Sequence, residues 1–378
     1  RDPEKIRWET LPEGDIGIRT PAGGGPIAEE HSFLVLSDGS FYVVFRTVDG
    51  HPCEAYSRDG GKTWEPSRYK RYADGRLMKH PRAANFVWKC KNGKFLYWFH
   101  NHGGKGYEDR NPAWICLGEE FQGSNGNEIK WSQPEILLYS DDPYVRISYP
   151  DMIEDGEGLF ITETNKNKAR VHQIDQKFIN KFWNHFDVST IEEDGLIYEM
   201  KAKITQNSCE FPREVYIPEL PIFSTRDQNK PDYGTKDLRQ GFTIEFYARL
   251  QVSDKNIILI DSRKDNEEGL YVGVRKNNSI GIVLNDGRTQ NSWYTEPGII
   301  KKGNWHHVGI IIDGGPKIIS FVIDGKFCDG ADYKQFGWGR FSKDLRHANG
   351  NCIKIFDNPH TVNINDEVKI KSKDNENY

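Results

Sequence analysis

Histidines in the first half of the chain supply groups that could transfer protons near neutral pH. His31 adjoins Glu30, and His80 stands in a Lys-His-Pro-Arg segment. His100 and His102 lie two residues apart. Histidine suits general acid–base chemistry because its ordinary pKa lies near neutrality. No HExxH spacing occurs and the six cysteines form no CxxC pair, so the sequence predicts no metal site and no cofactor.

The elements that must position these residues repeat one unit. Each copy reads as a strand, an Asp-Gly or Asn-Gly turn, a second strand, and a third strand that leads onward to the next copy. The copies begin near residues 32, 85 and 152. Asp-Gly and Asn-Gly turns favour tight hairpins because their backbone adopts positive φ. Such self-similarity predicts the blades of a β-propeller.

An eight-residue segment from Ser57 to Trp64 reads Ser-Arg-Asp-Gly-Gly-Lys-Thr-Trp. It matches the pattern S-x-D-x-G-x-T-W over its full length. We interpret it as a fold element, in which the Ser and Asp side chains satisfy turn amides, the glycines adopt positive φ, and Trp64 fills space between blades. The segment resembles the Asp box of sialidases, the bacterial and animal neuraminidases. This resemblance implies a sialidase-type β-propeller.

The resemblance also implies a set of site residues. Glu30 and Arg46 reproduce the family's spacing of a Glu, a hairpin turn and an Arg within one blade. Arg110 stands where the family has an Arg ahead of a degenerate Asp box. Tyr149 occupies the place of the family's nucleophile, and Glu163 that of a Glu at the following strand end. The family order Glu, Arg, Arg, Tyr, Glu is therefore kept.

The chemistry of an acidic sugar explains why the family uses these residue types. A carboxylate on the anomeric carbon repels a carboxylate nucleophile, so a neutral tyrosine activated by a glutamate serves instead. By this resemblance, Glu30 draws the proton from Tyr149. Arg46 and Arg110 clamp the substrate carboxylate, and Glu163 orients an arginine.

Two departures from the family pattern bear on these expectations. The family also uses an Asp general acid and an Arg in an Arg-Ile-Pro element, and neither can be assigned in this sequence. Propellers need about four to eight blades, so we expect that part of the ring lies upstream of Arg1. Pro150 stands where the family has a Ser after the nucleophile. We therefore expect the active site formed by this sequence to be incomplete.

His100 supports a rival interpretation. It occupies the position in its blade that Arg46 occupies in the preceding blade, so its side chain is predicted to face the site. Polysaccharide lyases and glycosidases on propeller scaffolds use His and Tyr as base and acid, with Arg neutralising a uronate. We therefore include His100 as a candidate substrate-binding residue.

The second half carries a different β pattern. Residues 241–250 alternate apolar and polar side chains, and further strands follow at the spacing typical of a sandwich. Gly-Asn-Trp-His-His-Val at 303–308 and Val-Ile-Asp-Gly-Lys at 322–326 resemble a laminin-G-like, concanavalin A-like β-sandwich. We predict an all-β chain with propeller blades over 1–185, a linker over 186–196 and the sandwich over 197–378.

Composition excludes several function classes. The net charge is -5 with both signs interspersed, so no basic face is predicted for nucleic acid. No apolar run is long enough to span a membrane. The family resemblance implies an extracellular or periplasmic location.

The sequence thus predicts an exo-glycosidase of sialidase type. It would hydrolyse a terminal acidic sugar, sialic acid or a related one, from a glycan with retention through Tyr149. The alternatives are a glycan-binding protein without catalysis, and a propeller lyase or glycosidase that uses His and Tyr on uronate-containing glycans.

Overall fold

The computed structural model describes residues 3–12, 17–156, 158–187, 193–201, 203–205, 208–210, 219–226, 235–237, 240–251, 254–355 and 362–374. The chain divides into two compact units, Arg1–Ser189 (unit 1) and Thr190–Tyr378 (unit 2). Residues 188–192 of the predicted linker lie outside the described residues, and the linker's bounds stay a prediction. Within the described part, no helix has the length and apolar character that crossing a bilayer requires.

In its described residues, unit 1 forms three antiparallel sheets in sequence order. The first contains β1 (Glu29–Val35), β2 (Phe41–Arg46), β3 (Cys53–Ser57) and β4 (Arg68–Tyr69). The second contains β5 (Phe86–Lys89), β6 (Phe95–Phe99), β7 (Ala113–Gln122), β8 (Asn127–Trp131) and β9 (Glu135–Leu138). The third contains β10 (Ser148–Asp155), β11 (Gly158–Thr164) and β12 (Ala169–Gln173). These sheets are the predicted propeller blades.

Each sheet begins with a hairpin at a predicted turn. Gly39, Gly93 and Gly156 follow the Asp or Asn of their turns and adopt positive φ, at 84°, 82° and 58°. Glycine tolerates this conformation without a Cβ clash. The hairpins place the first residues of one strand opposite the last residues of the next, as in the pairing of Glu29 with Arg46. Site residues from two strands therefore meet at one end of a blade.

A buried lysine joins the first two blades. Lys70 is fully buried, and its Nζ donates to Tyr42 Oη at 2.6 Å and lies 3.2 Å from Glu54 Oε2. The same Nζ lies 3.6 Å from the ring centre of Trp131 in the second blade. Burial lowers the Lys70 pKa to about 8, against the opposing charge of Glu54. Lys70 therefore links the two blades through an ion pair with Glu54 in the first and a cation–π contact with Trp131 in the second.

The helix α1 (Gln176–Phe182) follows the third blade, and two short 3-10 turns occur at Pro3–Lys5 and Ala331–Tyr333. The Asp175 carboxylate caps α1 by accepting a hydrogen bond from the Phe178 amide at 2.8 Å. Ile179 and Phe182 are buried in a cluster that includes Leu96 of the second blade. The helix thereby belongs to the core of unit 1.

Unit 2 contains two larger sheets and two short hairpins in its described residues. The first sheet contains β13 (Leu196–Lys201), β18 (Gln240–Leu250), β23 (Trp305–Asp313), β24 (Ile318–Ile323), β25 (Lys326–Phe327), β26 (Gly339–Arg340) and β28 (Val362–Asp374). The second contains β19 (Ile257–Asp261), β20 (Gly269–Val274), β21 (Ile280–Asn285), β22 (Gln290–Tyr294) and β27 (Lys354–Ile355). The hairpins are β14 (Lys203–Thr205) with β15 (Ser208–Glu210), and β16 (Ser224–Arg226) with β17 (Thr235–Asp237).

The core of unit 2 lies between these two sheets. Alternate residues of β18, Phe242, Ile244 and Phe246, are buried against residues such as Leu270 and Val272 of β20. This period of two is what a half-buried strand requires, since successive side chains point to opposite faces. The prediction of an all-β chain, with propeller blades followed by a sandwich, is confirmed.

Candidate active site

A tyrosine and a glutamate from different blades meet in unit 1. The Tyr149 hydroxyl donates a hydrogen bond to Glu30 Oε1 at 2.9 Å. Glu30 lies at the start of β1 and Tyr149 at the start of β10, so the contact joins the first blade to the third. Tyr149 as a whole residue remains 47% exposed.

Arg46 is held beside this pair by two adjacent glutamates. Its Nη1 lies 2.8 Å from Glu30 Oε2, an ion pair without the geometry of a hydrogen bond. Its Nε and Nη2 donate to Glu29 Oε2 at 3.2 and 2.7 Å. The hydrogen bond from Arg46 leads the lowering of the Glu29 pKa, and Arg82 contributes to it. The guanidinium therefore has one orientation before any ligand arrives.

Arg110 approaches Tyr149 from the loop between β6 and β7. Its Nη1 donates to Ser148 Oγ at 3.0 Å and its Nε to the Tyr107 carbonyl at 2.9 Å. Burial lowers the pKa of Arg110, while the nearby Tyr149 and Glu30 act in the opposite direction. Four predicted residues, Glu30, Arg46, Arg110 and Tyr149, thus form one cluster.

The backbone is strained at the residues that build this cluster. Glu30 and Tyr149 adopt positive φ, at 54° and 49°, as does Asp109 before Arg110, at 57°. The strand register shifts between Glu29 and Ser32 and again after Ser148, as it does at a β-bulge. Bulges redirect side chains, and each such φ costs about 1–3 kcal/mol. Strain of this kind concentrates at sites where orientation matters for function.

Glu163 lies in a neighbouring cluster on the third blade. It is 1% exposed, pairs with Arg170 Nε, and has His172 Nε2 at 3.3 Å. Burial acts to raise its pKa, but the hydrogen bonds and charges of His172 and Arg170 outweigh burial and lower it. Its Oε2 is buried and has no hydrogen-bond partner among the described residues. The structure places Glu163 beside an arginine without bringing it into contact with the other four.

His100 is not brought to the surface of the site. It is fully buried and stacks on His80 with ring centres 5.9 Å apart. Its backbone amide donates a hydrogen bond to His80 Nδ1 at 3.0 Å. Burial holds the His100 pKa well below its usual range, and His80 and Arg110 add to this. His102 is also buried. Because a general base must reach its substrate, burial disfavours His100 and His102 in that role, whereas His31 beside Glu30 is exposed.

The Ser57–Trp64 segment forms a closed turn. Asp59 accepts hydrogen bonds from the Thr63 amide at 2.9 Å and the Thr63 hydroxyl at 2.6 Å, and these bonds lower its pKa to about 2. Ser57 Oγ donates to Asp59 at 2.9 Å and accepts from the Gly61 amide at 2.8 Å. Trp64 packs on the hydrophobic cluster of the first blade. The Asp59 carboxylate thus holds the turn closed through its hydrogen bonds to Ser57 and Thr63.

Sequence reasoning missed two residues of the cluster. Glu29 holds Arg46, but the strand pairing that brings the two residues together becomes visible only in the structure. Ser148, the first residue of β10, accepts a hydrogen bond from Arg110. Its position depends on the bulge that follows it in the strand, which only the structure shows. Among the described residues, no group of three His, Cys, Asp or Glu side chains is placed to hold a metal ion.

A comparison with protein families finds a match within unit 2. Residues 225–351 match the laminin-G-type profile of the "Concanavalin A-like lectin/glucanases superfamily". The chain therefore contains a laminin-G-like domain, as predicted, over about that range. No curated protein sequence matches the chain.

Solved structures similar to the chain include an intramolecular trans-sialidase from Ruminococcus gnavus (16% identity, 41% of this chain, 33% of that chain, TM-score 0.31). A Trypanosoma rangeli sialidase in complex with sialic acid has 11% identity over 91% of this chain and 60% of that chain, with TM-score 0.29. The Ruminococcus gnavus IT-sialidase CBM40 bound to α2,3 sialyllactose has 12% identity over 47% and 92%, with TM-score 0.29. The chain spans about a third of the length of the first.

Proposed function

We propose that unit 1 carries the nucleophile and carboxylate-binding groups of an exo-glycosidase that hydrolyses a terminal acidic sugar from a glycan with retention. The observation that carries this proposal is the 2.9 Å hydrogen bond from the Tyr149 hydroxyl to Glu30. A tyrosine bonded to a carboxylate and flanked by two arginines has a proton acceptor and an anion site within reach of one oxygen. The resemblance to sialidases supports the same roles.

In the first step, Tyr149 Oη attacks the anomeric carbon while Glu30 takes the phenolic proton. The bond to the leaving-group oxygen breaks, and a glycosyl-tyrosine forms. In the second step, water attacks the anomeric carbon and releases one proton to solvent, the tyrosine oxygen departs, and Glu30 returns the phenolic proton to it. Two inversions give net retention.

Arg46 and Arg110 would bind the carboxylate of the sugar. A guanidinium binds a carboxylate through two parallel hydrogen bonds, and such bonds strengthen where water is excluded. Both guanidinium groups are already fixed by protein partners, Arg46 by Glu29 and Arg110 by Ser148 and the Tyr107 carbonyl. Less conformational entropy is then lost when the ligand binds.

No residue of this chain is assigned as the general acid that protonates a natural leaving group. An aryl leaving group departs without that proton, so an activated substrate isolates the steps that unit 1 supports. The test is hydrolysis of a 4-methylumbelliferyl glycoside of N-acetylneuraminic acid, followed by fluorescence. Turnover by the wild-type chain and its loss in Tyr149→Phe would support the proposal, and equal turnover by both would contradict it.

Mass spectrometry on sialylated, uronate-rich and sulfated glycans extends the test to natural linkages. A released monosaccharide that has gained water supports hydrolysis. An unsaturated product would indicate β-elimination and overturn the proposal. Binding of a glycan, with no product from the natural glycans or from the aryl glycoside, would indicate a glycan-binding protein. An extracellular or periplasmic location, where such glycans occur, is part of the same proposal.

A further inference from the structure

The outer face of the second sheet of unit 2 carries two tyrosine rings that lie on glycines. Tyr294 of β22 pairs with Gly281 of β21, which pairs in turn with Gly273 of β20. A Cβ at Gly281 would come within 2.2 Å of Tyr294 Cδ1, so the ring occupies the space that a side chain would fill. Tyr271 lies beside Gly273 at an ordinary contact distance, with 3.7 Å from its Cε2 to the Cβ position.

These rings border a cleft of ≈ 360 Å³. Tyr271 and Gly273 point outward because Leu270, Val272 and Val274 of the same strand are buried in the core. Residues on the cleft wall include Ile258, Arg263 and Arg275 in addition to both tyrosines. The volume lies within the range of about 300–1,000 Å³ that is usual for small-ligand sites.

The two arginines of the cleft differ in how far their charge is neutralised. Arg263 lies 4.3 Å from the Tyr271 ring centre and is paired with Asp261 at 2.8 Å and Glu267 at 2.5 Å. Arg275 lies 3.4 Å from the Tyr294 ring centre and forms no ion pair within the described ranges. Its guanidinium therefore offers a positive charge to a ligand.

Further contacts fix the position of Tyr294. Lys334 Nζ donates to the Tyr294 carbonyl and lies 4.4 Å from the Trp293 ring centre. Burial lowers the pKa of Lys334 and Arg275 adds to the lowering, although Glu296 opposes it. The hydroxyls of Tyr271 and Tyr294 are 3.5 Å apart, at the long end of the hydrogen-bond range, so the bond between them is weak.

We infer that this cleft is a binding site for an anionic saccharide, with Arg275 pairing to its carboxylate or sulfate group. The arginines cover the tyrosine rings, so the tyrosines contact the sugar through their hydroxyls, which suit its oxygens. The cleft lies within the segment that matches the lectin superfamily profile. The inference does not depend on the function proposed for unit 1.

The test is calorimetric titration of the full chain in an Arg110→Ala, Tyr149→Phe background, which removes the acidic-sugar site proposed in unit 1. The probes are 3′-sialyllactose, 3′-sulfated lactose and neutral lactose. We expect one or both anionic probes to bind at least about tenfold more tightly than lactose, because only they can pair with Arg275. The tighter of the two identifies the anionic group.

Substitution then assigns the site. Arg275→Ala is expected to weaken binding of the anionic probe about tenfold or more, whereas Lys276→Ala, which removes an exposed charge at the next position, should change it less than about twofold. Tyr294→Phe keeps the ring and removes one hydroxyl, with an expected loss of about threefold to tenfold.

Failure of both anionic probes to bind, equal binding of lactose, or an equal effect of Lys276→Ala would overturn the inference. Hydrolysis by the chain without these background substitutions tests unit 1 separately. Binding in the cleft without hydrolysis would contradict the function proposed for unit 1 alone.

Discussion

Both units gather arginine and tyrosine, but in opposite arrangements. In unit 1 the Tyr149 hydroxyl faces the Glu30 carboxylate, and Arg46 is held by ionic partners. In unit 2 the rings of Tyr271 and Tyr294 lie under arginines, and their hydroxyls face each other. A phenol can act as a nucleophile when a base accepts its proton, whereas a phenol beside another phenol can only bind.

The backbone differs in the same sense. Glu30 and Tyr149 adopt strained positive φ at β-bulges in unit 1. Tyr271 and Tyr294 lie in regular strands whose glycine neighbours make room for the rings. Strain fixes the direction of one hydroxyl in unit 1, while the rings of unit 2 support the arginines that lie over them. The difference teaches that residue type alone does not separate a catalytic site from a binding cleft.

Removing the Tyr149 hydroxyl should have the largest effect. Tyr149→Phe is expected to lower kcat on the aryl glycoside about 10³-fold or more, since no nucleophile remains, while the arginines still bind the sugar. Tyr144→Phe is the matched control because Tyr144 is 90% exposed in the preceding loop. Steady-state kinetics of both variants provide the measurement. Similar kcat values for Tyr149→Phe and Tyr144→Phe would remove the distinction between the two units.

The proton acceptor is the next test. Glu30→Gln keeps a hydrogen-bond acceptor for Tyr149 but cannot take its proton, so kcat should fall about 10²–10⁴-fold. Glu108→Gln, at an exposed glutamate that pairs with Arg146, should leave kcat unchanged. Steady-state kinetics on the same aryl glycoside provide the comparison. A wild-type kcat in Glu30→Gln would exclude Glu30 as the base.

Replacing the guanidinium of Arg110 by the ammonium of lysine tests whether Arg110 binds the substrate carboxylate. Arg110→Lys keeps the charge but loses paired hydrogen bonds to a carboxylate, so kcat/KM should fall about 10- to 100-fold, chiefly through KM. Arg146→Lys, at an arginine paired with exposed Glu108, is the control. An unchanged KM in Arg110→Lys would show that this residue does not hold the substrate.

The smallest effect concerns stability and pH. The Glu163 pKa is lowered in the folded protein, so its stabilisation is complete above its ordinary value of 4.5 and is lost as the pH falls through the folded value. Glu163→Gln should lower the free energy of unfolding by about 1–3 kcal/mol at pH 7, with the difference shrinking below pH 4.5. Urea titrations at pH 7 and pH 3.5 measure it. A difference independent of pH would assign the loss to packing.

Much of the fold was accessible from sequence because hairpin turns and strand alternation are local signals. The Asp-Gly and Asn-Gly turns and the alternation in β18 predicted blades and sandwich. The positive φ of Tyr149 and the role of Glu29 were not accessible, since both depend on bulges and pairing between strands. His100 shows the limit most clearly. Its position matches Arg46 in strand order, yet the stacking of His80 buries it.

The most direct test of the account is to trap the intermediate at Tyr149. A sialic acid derivative with fluorine at C2 and C3 loses the C2 fluoride when the glycosyl-enzyme forms. The fluorine that remains at C3 slows hydrolysis of this intermediate, because it destabilises the oxocarbenium-like transition state. Peptide mass spectrometry should then find the sugar on the oxygen of Tyr149 and leave Tyr271 and Tyr294 unmodified. An intact reagent with no labelled tyrosine, or label on a carboxylate instead, would contradict the claim that Tyr149 is the nucleophile.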